Sequence, residues 1–512
     1  MKLWFDPSPL WEPERYHYAA EQMMLTLFPG QRPEYPPQPP HRLEEGASAR
    51  FTLSRDGDRA LLSARVIWAD RAAAGERAFP AGELDAPPAA VYHTVQHALK
   101  LAFYDAGTAL LGREPPWGAL TGVRPVKLPT RSLAAGASPE EARLELERTY
   151  RVSPERAGLA VDCARASLAA QRLLEPDQVS VYVGIPFCPT RCAYCSFVSA
   201  DVGRTLNLVE PYVEALLEET DAMGRLLKEA GLTVRSFYMG GGTPTTLSAE
   251  QMDRLLSRCR EALPLESCLE FTVEAGRPDT ITREKLDVLR RRGVDRISIN
   301  PQTLEPAVLT AIGRRHTPGD ISEACALARQ AGFSCINMDL IAGLPRDSFA
   351  GFRRSLEGVL AMGPENITVH TLALKKGSRL MDGSGEDLAG ALPGGEETAR
   401  MLDFSREVLT RRGYVPYYLY RQKYMSGALE NVGWARPGSE NLYNIVMMEE
   451  LQSVLSLGAG GVTKLIDPAS GQILRLTNPK YPHDYLASRE KREAQLGEMA
   501  AFFARRGEEA RT

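Results

Sequence analysis

The chain has 512 residues, of which 44% are hydrophobic and 25% charged, and its formal net charge is −4 at pH 7. These values are typical of a globular protein with more than one domain, and they argue against nucleic-acid binding through bulk positive charge. No apolar run reaches the ~18 residues of a membrane-spanning helix, and the first residues lack the apolar core of a signal peptide. We therefore predict a cytoplasmic protein with no membrane span and no nucleic-acid partner.

Residues 1–112 are predicted to form a small N-terminal α/β domain. Hydrophobic periodicity indicates strands and helices, with a hairpin at residues 55–58. The last helix carries His93 and His97, a spacing that can bind a metal. No third ligand is in sight, so we interpret them as structural histidines. The predicted strands are 1–6, 50–53 and 60–68, and the predicted helices are 13–27 and 88–111.

Residues 113–176 are predicted to be a connector followed by a helical hairpin. Its two helices begin after Ser138 and Ser153, and each serine is followed by a proline. Serine is a favoured N-cap, and proline is favoured at the first helical position. Glu141 also completes a capping box with Ser138. We therefore predict that two helices, each with a marked N-terminus, precede the next domain.

From residue 177 to residue 375 strands and helices alternate six times. This repeat predicts an α/β fold with parallel strands and right-handed crossovers, here a partial (β/α)6 barrel similar to a TIM barrel. In such barrels chemistry collects at the C-terminal ends of the strands. The predicted strands are 180–185, 234–239, 268–273, 296–299, 335–341 and 367–372. The predicted helices are 208–229, 249–262, 283–291, 306–311, 321–330 and 349–362.

Three cysteines, Cys188, Cys192 and Cys195, follow the first strand of this barrel in the spacing C-x3-C-x2-C. Three thiolates cannot complete a tetrahedral zinc site, but they can bind three irons of a [4Fe–4S] cluster and leave the fourth iron open. The alternative is three cysteines with no joint role. The remaining cysteines are scattered, and we predict that they are reduced residues of the core.

Glycine and polar motifs follow the next strands. Gly240, Gly241 and Gly242 precede Thr243, and a backbone without side chains should offer exposed N–H groups that bind a carboxylate. Glu274, at the end of the third strand, can accept ribose hydroxyls. Taken singly, each later polar residue could also be an ordinary side chain at the rim of the barrel. These later residues are Gln302, Arg314 and Asp339.

The cysteine spacing and the glycine motif together resemble the radical S-adenosylmethionine (SAM) enzymes. The later motifs resemble one subgroup, the oxygen-independent coproporphyrinogen III oxidases. The long N-terminal extension is similar to the HemZ-type branch, often named coproporphyrinogen dehydrogenase. The resemblance implies that the three cysteines hold a [4Fe–4S] cluster and that SAM binds beside it. The residues that it places at SAM or the cluster are Tyr182, Tyr194, Gly241, Gly242, Thr243, Glu274, Gln302, Arg314 and Asp339.

Residues 376–512 resemble the C-terminal domain of that family, an α+β extension of the barrel. Basic residues here and just before it are candidates for binding substrate carboxylates. Residues 382–397, rich in Gly, Asp and Glu, are predicted to be a mobile loop that could form a lid. The basic candidates are Lys375, Lys376, Arg379, Arg421, Lys423 and Arg436.

The resemblance implies oxidative decarboxylation of two propionate groups of coproporphyrinogen III to vinyl groups, which gives protoporphyrinogen IX in heme biosynthesis. SAM and the cluster carry this chemistry, an electron donor such as a flavodoxin or ferredoxin supplies electrons, and no side-chain acid or base is required. One alternative is a heme-binding trafficking protein with the same fold. Another is a radical SAM enzyme that acts on a different tetrapyrrole or small molecule. A structural zinc protein is disfavoured by the missing fourth ligand.

Two positions depart from these relatives. Phe197 stands where the oxygen-independent oxidases carry a further cysteine. The heme-chaperone branch also has an aromatic residue there, but it carries a His-Asn pair for which this chain offers Glu440-Asn441 or Tyr443-Asn444. Neither pair supplies a histidine, so a candidate ligand for heme iron is missing. The sequence therefore defines the cofactors more closely than the substrate.

Overall fold

The chain forms two compact units. The first comprises Met1–Val161 with Arg421–Leu429, and the second comprises Asp162–Tyr420 with Glu430–Thr512. The four-part division at residues 112, 176 and 375 stays a prediction. The computed structural model describes residues 1–36, 47–195, 200–375, 377–381, 390–422 and 426–509.

The first unit contains a four-stranded sheet. Its strands are β1 (Lys2–Phe5), β2 (Ser48–Asp56), β3 (Arg59–Trp68) and β4 (Arg71–Pro80), and they lie in this order. β1 runs parallel to β2, and the two following pairs are antiparallel. The helices are α1 (His17–Leu27), which follows a 3-10 turn (Pro13–Tyr16), α2 (Pro88–Leu111), α3 (Lys127–Ala134) and α4 (Pro139–Tyr150). A fifth helix, α5 (Pro154–Gln171), includes the boundary between the units.

The sequence predicted the β2–β3 hairpin but missed β4. Each of the ten residues of β4 has a partner in β3. The strand begins Arg71-Ala-Ala-Ala-Gly75, and alanine and glycine have little preference for strands. Its conformation therefore comes from pairing with β3 rather than from its own residues.

Local interactions agree with the sequence interpretation at two helices of this unit. Ser138 caps α4 in a capping box, with its Oγ 3.2 Å from the Glu141 N–H and its own N–H 2.7 Å from Glu141 Oε2. On α2, His97 Nε2 lies 3.2 Å from the carbonyl oxygen of Thr149, and the His97 ring meets the Tyr150 ring edge-on. These contacts give His97 a structural role.

The second unit contains an eleven-stranded sheet. Six of its strands are mutually parallel and follow the order that the sequence repeat predicts, so the α/β barrel-like fold is confirmed. A short parallel pair, β6 (Phe187–Cys188) with β7 (Ala200–Asp201), lies just beyond the first of them. The six are β5 (Gln178–Ile185), β8 (Thr233–Gly241), β9 (Glu270–Glu274), β10 (Arg296–Ser298), β11 (Cys335–Ala342) and β12 (Asn366–Thr371).

Strands from the C-terminal region extend both edges of this sheet. They are β13 (Val415–Tyr420), β14 (Asn431–Ala435), β15 (Val454–Leu457), β16 (Val462–Ile466) and β17 (Ile473–Thr477). The complete order is β13-β14-β12-β11-β10-β9-β8-β5-β15-β16-β17. Because β13 and β17, the strands at the two edges, do not pair with each other, the described strands do not form a closed barrel. The C-terminal region thus shares one sheet with the barrel strands.

The helices of the second unit lie close to the predicted segments. One prediction is wrong: the first turn of a helix occupies residues 395–397, which were assigned to a mobile loop. Glu396 and Glu397 lie in this turn, where the helix dipole favours negative charge. Residues 382–389 lie outside the described residues. The helices are α6 (Val202–Glu229), α7 (Ala249–Ala262), α8 (Arg283–Arg291), α9 (Pro306–Ala311), α10 (Pro318–Gln330), α11 (Phe349–Ala361), α12 (Gly395–Arg411), α13 (Leu442–Glu449), α14 (Pro482–Leu486) and α15 (Arg489–Glu509).

The central strands are buried on both faces, as is usual in parallel sheets covered by helices. In β5 every residue is buried except Tyr182, which is partly exposed. The chain leaves this core directly after Ile185 and enters the segment that carries the three cysteines. Within the part of the chain that the structure describes, no helix combines the length and apolar character that a membrane span requires.

A buried carboxylate, Glu219 on α6, connects this helix to the C-terminal region. Its Oε2 accepts hydrogen bonds from the Gly458 N–H at 2.8 Å and from the Tyr485 hydroxyl at 2.6 Å. The Asn478 side-chain amide donates to Oε1 at 3.4 Å. The turn after β15 and the helix α14 therefore depend on one side chain.

We expect Glu219→Ala to lower the free energy of unfolding by roughly 2–4 kcal/mol, because it leaves buried donors without an acceptor. Urea unfolding followed by tryptophan fluorescence measures the change. Glu218→Ala is the matched control, since the neighbouring Glu218 side chain is 63% exposed and its removal should change stability little. Equal stability losses in the two variants would contradict the assigned role of Glu219.

Candidate active site

The cysteine loop, defined here as residues 186–195, follows β5 and carries Cys188, Cys192 and Cys195. All three thiols are free of disulfide bonds. The Cys195 N–H donates to the Cys192 carbonyl at 3.2 Å, which closes a turn between these two cysteines. The Ala193 N–H donates to the carbonyl of Ile312 at 3.0 Å. The loop is thus fixed to the segment that follows α9.

The glycine motif, residues 240–243, crosses the cysteine loop at very short range. A Cβ atom added at Gly242 would lie 2.6 Å from the carbonyl oxygen of Phe187 and 3.0 Å from Cys188 Sγ. Thr243 Oγ1 lies 3.4 Å from the same sulfur. Gly241 has a φ angle of 115°, which favours glycine. The sequence could show the motif but not that it packs against a cysteine.

The expectation of exposed N–H groups in this motif is wrong. The Gly242 N–H donates to the Ile185 carbonyl and the Thr243 N–H to the Phe187 carbonyl, both at 2.7 Å. These N–H groups therefore bind the backbone at the start of the cysteine loop and are not available to bind an anion. What the glycines provide is a backbone without side chains beside Cys188.

Glu274, at the end of β9, lies beside the glycine motif. Its Oε1 accepts a hydrogen bond of 2.6 Å from the Tyr238 hydroxyl. A Cβ atom at Gly240 would lie 2.9 Å from the Glu274 carboxyl carbon. Burial raises the pKa of Glu274 to about 7, with a smaller increase from the charge of Asp339, while hydrogen bonds from Tyr238 and Gly241 oppose the shift. This carboxyl therefore changes charge near neutral pH.

Asp339, on β11, behaves in the opposite way. Burial on its own raises its pKa most strongly, but the neighbouring His370, Asn337 and Thr368 side chains together lower the pKa below its ordinary value. Asn337 Nδ2 lies 2.8 Å from Asp339 Oδ1, and His370 Nε2 lies 3.7 Å from Oδ2. Asp339 is therefore ionised where Glu274 is still protonated, and such a division gives two carboxyl groups different roles.

Arg314 and Gln302 complete the set of polar residues. Arg314 donates to the Asn300 carbonyl at 2.6 Å and to the Tyr194 hydroxyl at 3.3 Å. Gln302 has a φ angle of 68° and is joined to β11 through its N–H, which donates to the Asp339 carbonyl at 2.9 Å. Three buried polar atoms of this group have no partner among the described residues: Arg314 Nε, Gln302 Oε1 and Asn300 Oδ1.

Unpartnered buried polar atoms are uncommon in folded proteins and each needs an explanation. The explanation that fits these three is a polar ligand. Together with three cysteine thiols that form no disulfide and a glycine backbone beside one of them, they form a donor set suited to an iron–sulfur cluster and SAM. Most of the predicted site residues lie at or just beyond the C-terminal ends of the barrel strands; the exceptions are Tyr182 inside β5, Asp339 inside β11 and Arg314 after α9.

Four residues of the site were missed by the sequence analysis. Tyr238 stands opposite Tyr182 in the β5–β8 register, so strand alignment could have found it. Tyr443 stacks on the Tyr238 ring with 4.6 Å between centroids. His370 approaches Asp339, and Arg277 Nη1 lies 3.8 Å from Cys192 Sγ. Arg277 and His370 lie at the C-terminal ends of β9 and β12, where the rule for strand ends could have found them, whereas nothing local in the sequence marks Tyr443.

The basic residues proposed for substrate binding divide into different environments. Arg421 belongs to the first unit, where its guanidinium donates to the carbonyls of Leu120 and Ala428 and lies over the Trp117 ring. It has a structural role there. The Arg436 guanidinium lies 4.9 Å from the centre of the Tyr414 ring. Lys375 and Arg379 lie close to the cysteine loop, and Lys376, Lys423 and Phe197 lie outside the described residues.

A partial barrel that carries a three-cysteine loop and a glycine motif defines the radical SAM class, and the model of the Radical SAM superfamily matches residues 182–356. The chain is 42% identical to the oxygen-independent coproporphyrinogen-III oxidase-like protein HemZ of Bacillus subtilis (strain 168) over 397 residues, which cover 77% of this chain and 79% of HemZ. The chain therefore belongs to the family of radical SAM enzymes that are similar to coproporphyrinogen III oxidase.

Other relatives are similar over a smaller share of the chain. The heme chaperone HemW of Lactococcus lactis subsp. lactis (strain IL1403) is 33% identical over 61% of this chain and 76% of its own length. The solved structure of coproporphyrinogen III oxidase (HemN) from Escherichia coli aligns with a TM-score of 0.50 and 24% identity, over 64% of this chain and 72% of that chain. The HemN likeness supports the fold.

The raised pKa of Glu274 predicts a pH-dependent stability. Because its folded pKa of about 7 lies above the ordinary value of 4.5, the folded protein binds more protons than the unfolded chain between these values. The free energy of unfolding should therefore fall as the pH rises from 4.5 to 7, by about 3 kcal/mol at most relative to Glu274→Gln. Urea unfolding of both proteins across this range measures the difference. Parallel pH profiles of the two proteins would refute the shifted pKa.

Proposed function

We propose that this chain is an oxygen-independent, SAM-dependent oxidative decarboxylase that converts coproporphyrinogen III into protoporphyrinogen IX in heme biosynthesis. The observation that carries the proposal is the junction of the cysteine loop and the glycine motif, where Cys188 Sγ lies 3.4 Å from Thr243 Oγ1. The 42% identity to HemZ over 77% of the chain supports this choice among radical SAM reactions.

In this proposal Cys188, Cys192 and Cys195 are the ligands of a [4Fe–4S] cluster. Three protein ligands leave one iron open to another molecule. The Arg277 guanidinium donates to Cys192 Sγ at 3.8 Å and so helps to hold this ligand in position. Asp279 Oδ2 lies 2.9 Å from Arg277 Nη2 and keeps that side chain in place.

The remaining site residues bind and orient SAM in this proposal. Arg314 offers an unpartnered Nε–H to the carboxylate of SAM. Glu274 in its ionised form accepts ribose hydroxyls. Gly241 and Gly242 let the methionine end approach the backbone beside Cys188. When both groups are bound, the cluster and SAM supply the one-electron cleavage that allows hydrogen abstraction from a propionate side chain.

Three tyrosines provide an aromatic surface for a tetrapyrrole. Tyr182, Tyr238 and Tyr443 are nearly parallel, with interplanar angles of 16–21°. In this proposal their apolar rings exclude water from the reacting centre. Of the described basic candidates, Lys375 is the residue that we propose for the substrate carboxylates. A one-electron donor protein such as a flavodoxin or ferredoxin is the proposed partner.

Heme binding is the second candidate function, favoured by the 33% identity to HemW. In this chain the side chains of Glu440 and Asn441, one candidate match for the His-Asn pair of the heme chaperones, make structural hydrogen bonds. Asn441 Oδ1 caps α13 by accepting the Asn444 N–H at 2.8 Å, and its Nδ2 lies 3.2 Å from Thr272 Oγ1. Glu440 Oε2 accepts the Gly438 N–H at 2.9 Å. Because neither candidate pair supplies a histidine for heme iron, we prefer decarboxylation over heme transfer as the proposal.

We expect Cys192→Ser to abolish the visible absorbance of the iron–sulfur cluster after anaerobic reconstitution, because two thiolates do not hold the cluster. Cys268→Ser is the matched control. Its sulfur donates a hydrogen bond to the Glu270 carbonyl at 3.3 Å, which a serine hydroxyl can also make, so the absorbance should persist. Full cluster absorbance in Cys192→Ser would disprove the ligand assignment.

The reconstituted protein, given SAM, a chemical reductant and coproporphyrinogen III, should produce protoporphyrinogen IX and 5′-deoxyadenosine. Chromatography with mass detection measures both products. Asp339→Asn should lower the yield at least tenfold, because a neutral amide in place of the ionised carboxylate weakens charge-assisted contacts with the cofactor. Tight heme binding by the wild-type protein with neither product formed would refute the proposed function and support the chaperone alternative.

A further inference from the structure

An open cleft of about 1000 Å³ lies on the second unit beside the cysteine loop. Five of its twelve lining residues are arginines, and none is acidic. Arg191, Arg204, Arg315 and Arg379 are exposed to solvent, and we call the surface that they form with the cleft the arginine cleft.

The arginine cleft and the cysteine loop share residues. Thr190 and Arg191 line the cleft and stand in the sequence between Cys188 and Cys192. Thr190 Oγ1 lies 3.2 Å from Arg277 Nη1, and the same Nη1 lies 3.8 Å from Cys192 Sγ. The wall of the cleft is therefore the loop that carries the cysteines, and a molecule in the cleft approaches them closely from outside.

The arginines of the cleft are not neutralised by the chain itself. Within the described residues no ion pair joins a carboxylate to Arg191, Arg204, Arg315 or Arg379. Exposed arginines elsewhere on this unit, such as Arg283, Arg291 and Arg354, do have an acidic partner. Arg379 donates to the backbone carbonyl of Arg191 at 3.0 Å, which holds two of the positive groups together. Clustered charges of one sign steer a partner of opposite sign.

We propose that an acidic electron-donor protein of the flavodoxin or ferredoxin class docks on the arginine cleft. The inference rests on the proposed function, which needs electrons delivered at the cysteine loop. A cleft open to solvent on one side suits a protein surface better than a small molecule that must be enclosed. The chain as a whole carries a net charge of −4, so a local positive surface is required to attract an acidic partner.

Biolayer interferometry with immobilised protein and purified flavodoxin tests the docking site. We expect Arg204→Glu/Arg315→Glu to raise the Kd at least tenfold, and wild-type binding to weaken between 50 and 200 mM salt. Lys491→Glu/Arg505→Glu makes the same change in net charge at exposed positions on α15 and should leave the Kd within twofold. Equal effects of the two double variants, or no flavodoxin binding by the wild type at low salt, would overturn the proposal.

A second readout separates this proposal from the proposed function. With reduced flavodoxin, the reconstituted cleft variant should form 5′-deoxyadenosine at least fivefold more slowly than wild type, but with dithionite at the wild-type rate. Failure of the wild type to act on coproporphyrinogen would refute the proposed function while the flavodoxin Kd still tests the cleft. A cleft variant that loses coproporphyrin binding and keeps flavodoxin binding would overturn the docking proposal and assign the arginines to substrate carboxylates.

Discussion

The site depends on the close approach of two backbone segments, the cysteine loop and the glycine motif. They continue the register of β5 and β8, in which Ile185 lies opposite Gly241. Past the ends of the strands, the Thr243 N–H still reaches the Phe187 carbonyl at 2.7 Å. Because even a methyl group at Gly242 would collide with that carbonyl, glycine is required there by packing. The place of Cys188 is therefore set by strand pairing, independently of any ligand.

Near this junction the fold shifts the pKa values of two carboxyl groups in opposite directions. Glu274 has few compensating donors, so burial dominates and its pKa rises to about 7. Asp339 is equally enclosed, but His370 and polar neighbours outweigh burial and its pKa is lowered. The difference follows from which strand each residue ends: β11 is flanked by β12, which supplies His370 and Thr368. One site thus holds an ionised and a titratable carboxyl group.

The sequence was sufficient for features that are local. Repeated strand and helix patterns predicted the order of the six parallel strands, and capping residues marked the start of α4. The sequence was insufficient where the backbone conformation depends on pairing with another segment. β4 is an alanine-rich strand that β3 imposes, and the direction of the N–H groups at Gly242 and Thr243 follows from the neighbouring loop. Tyr443 comes to the site through long-range packing against Tyr238, which no spacing rule describes.

Arg314 links the interior of the site to the outer surface. It lines the arginine cleft, while its guanidinium donates to the Asn300 carbonyl and to the Tyr194 hydroxyl beside the cysteines. The residues on either side of it, Gly313 and Arg315, also line the cleft. A partner bound at Arg315, as proposed, would therefore contact the residue next to Arg314, which we propose for SAM. The proposed docking surface and the proposed cofactor site thus meet at the turn after α9, whose Arg314 N–H donates to the Leu309 carbonyl at 2.9 Å.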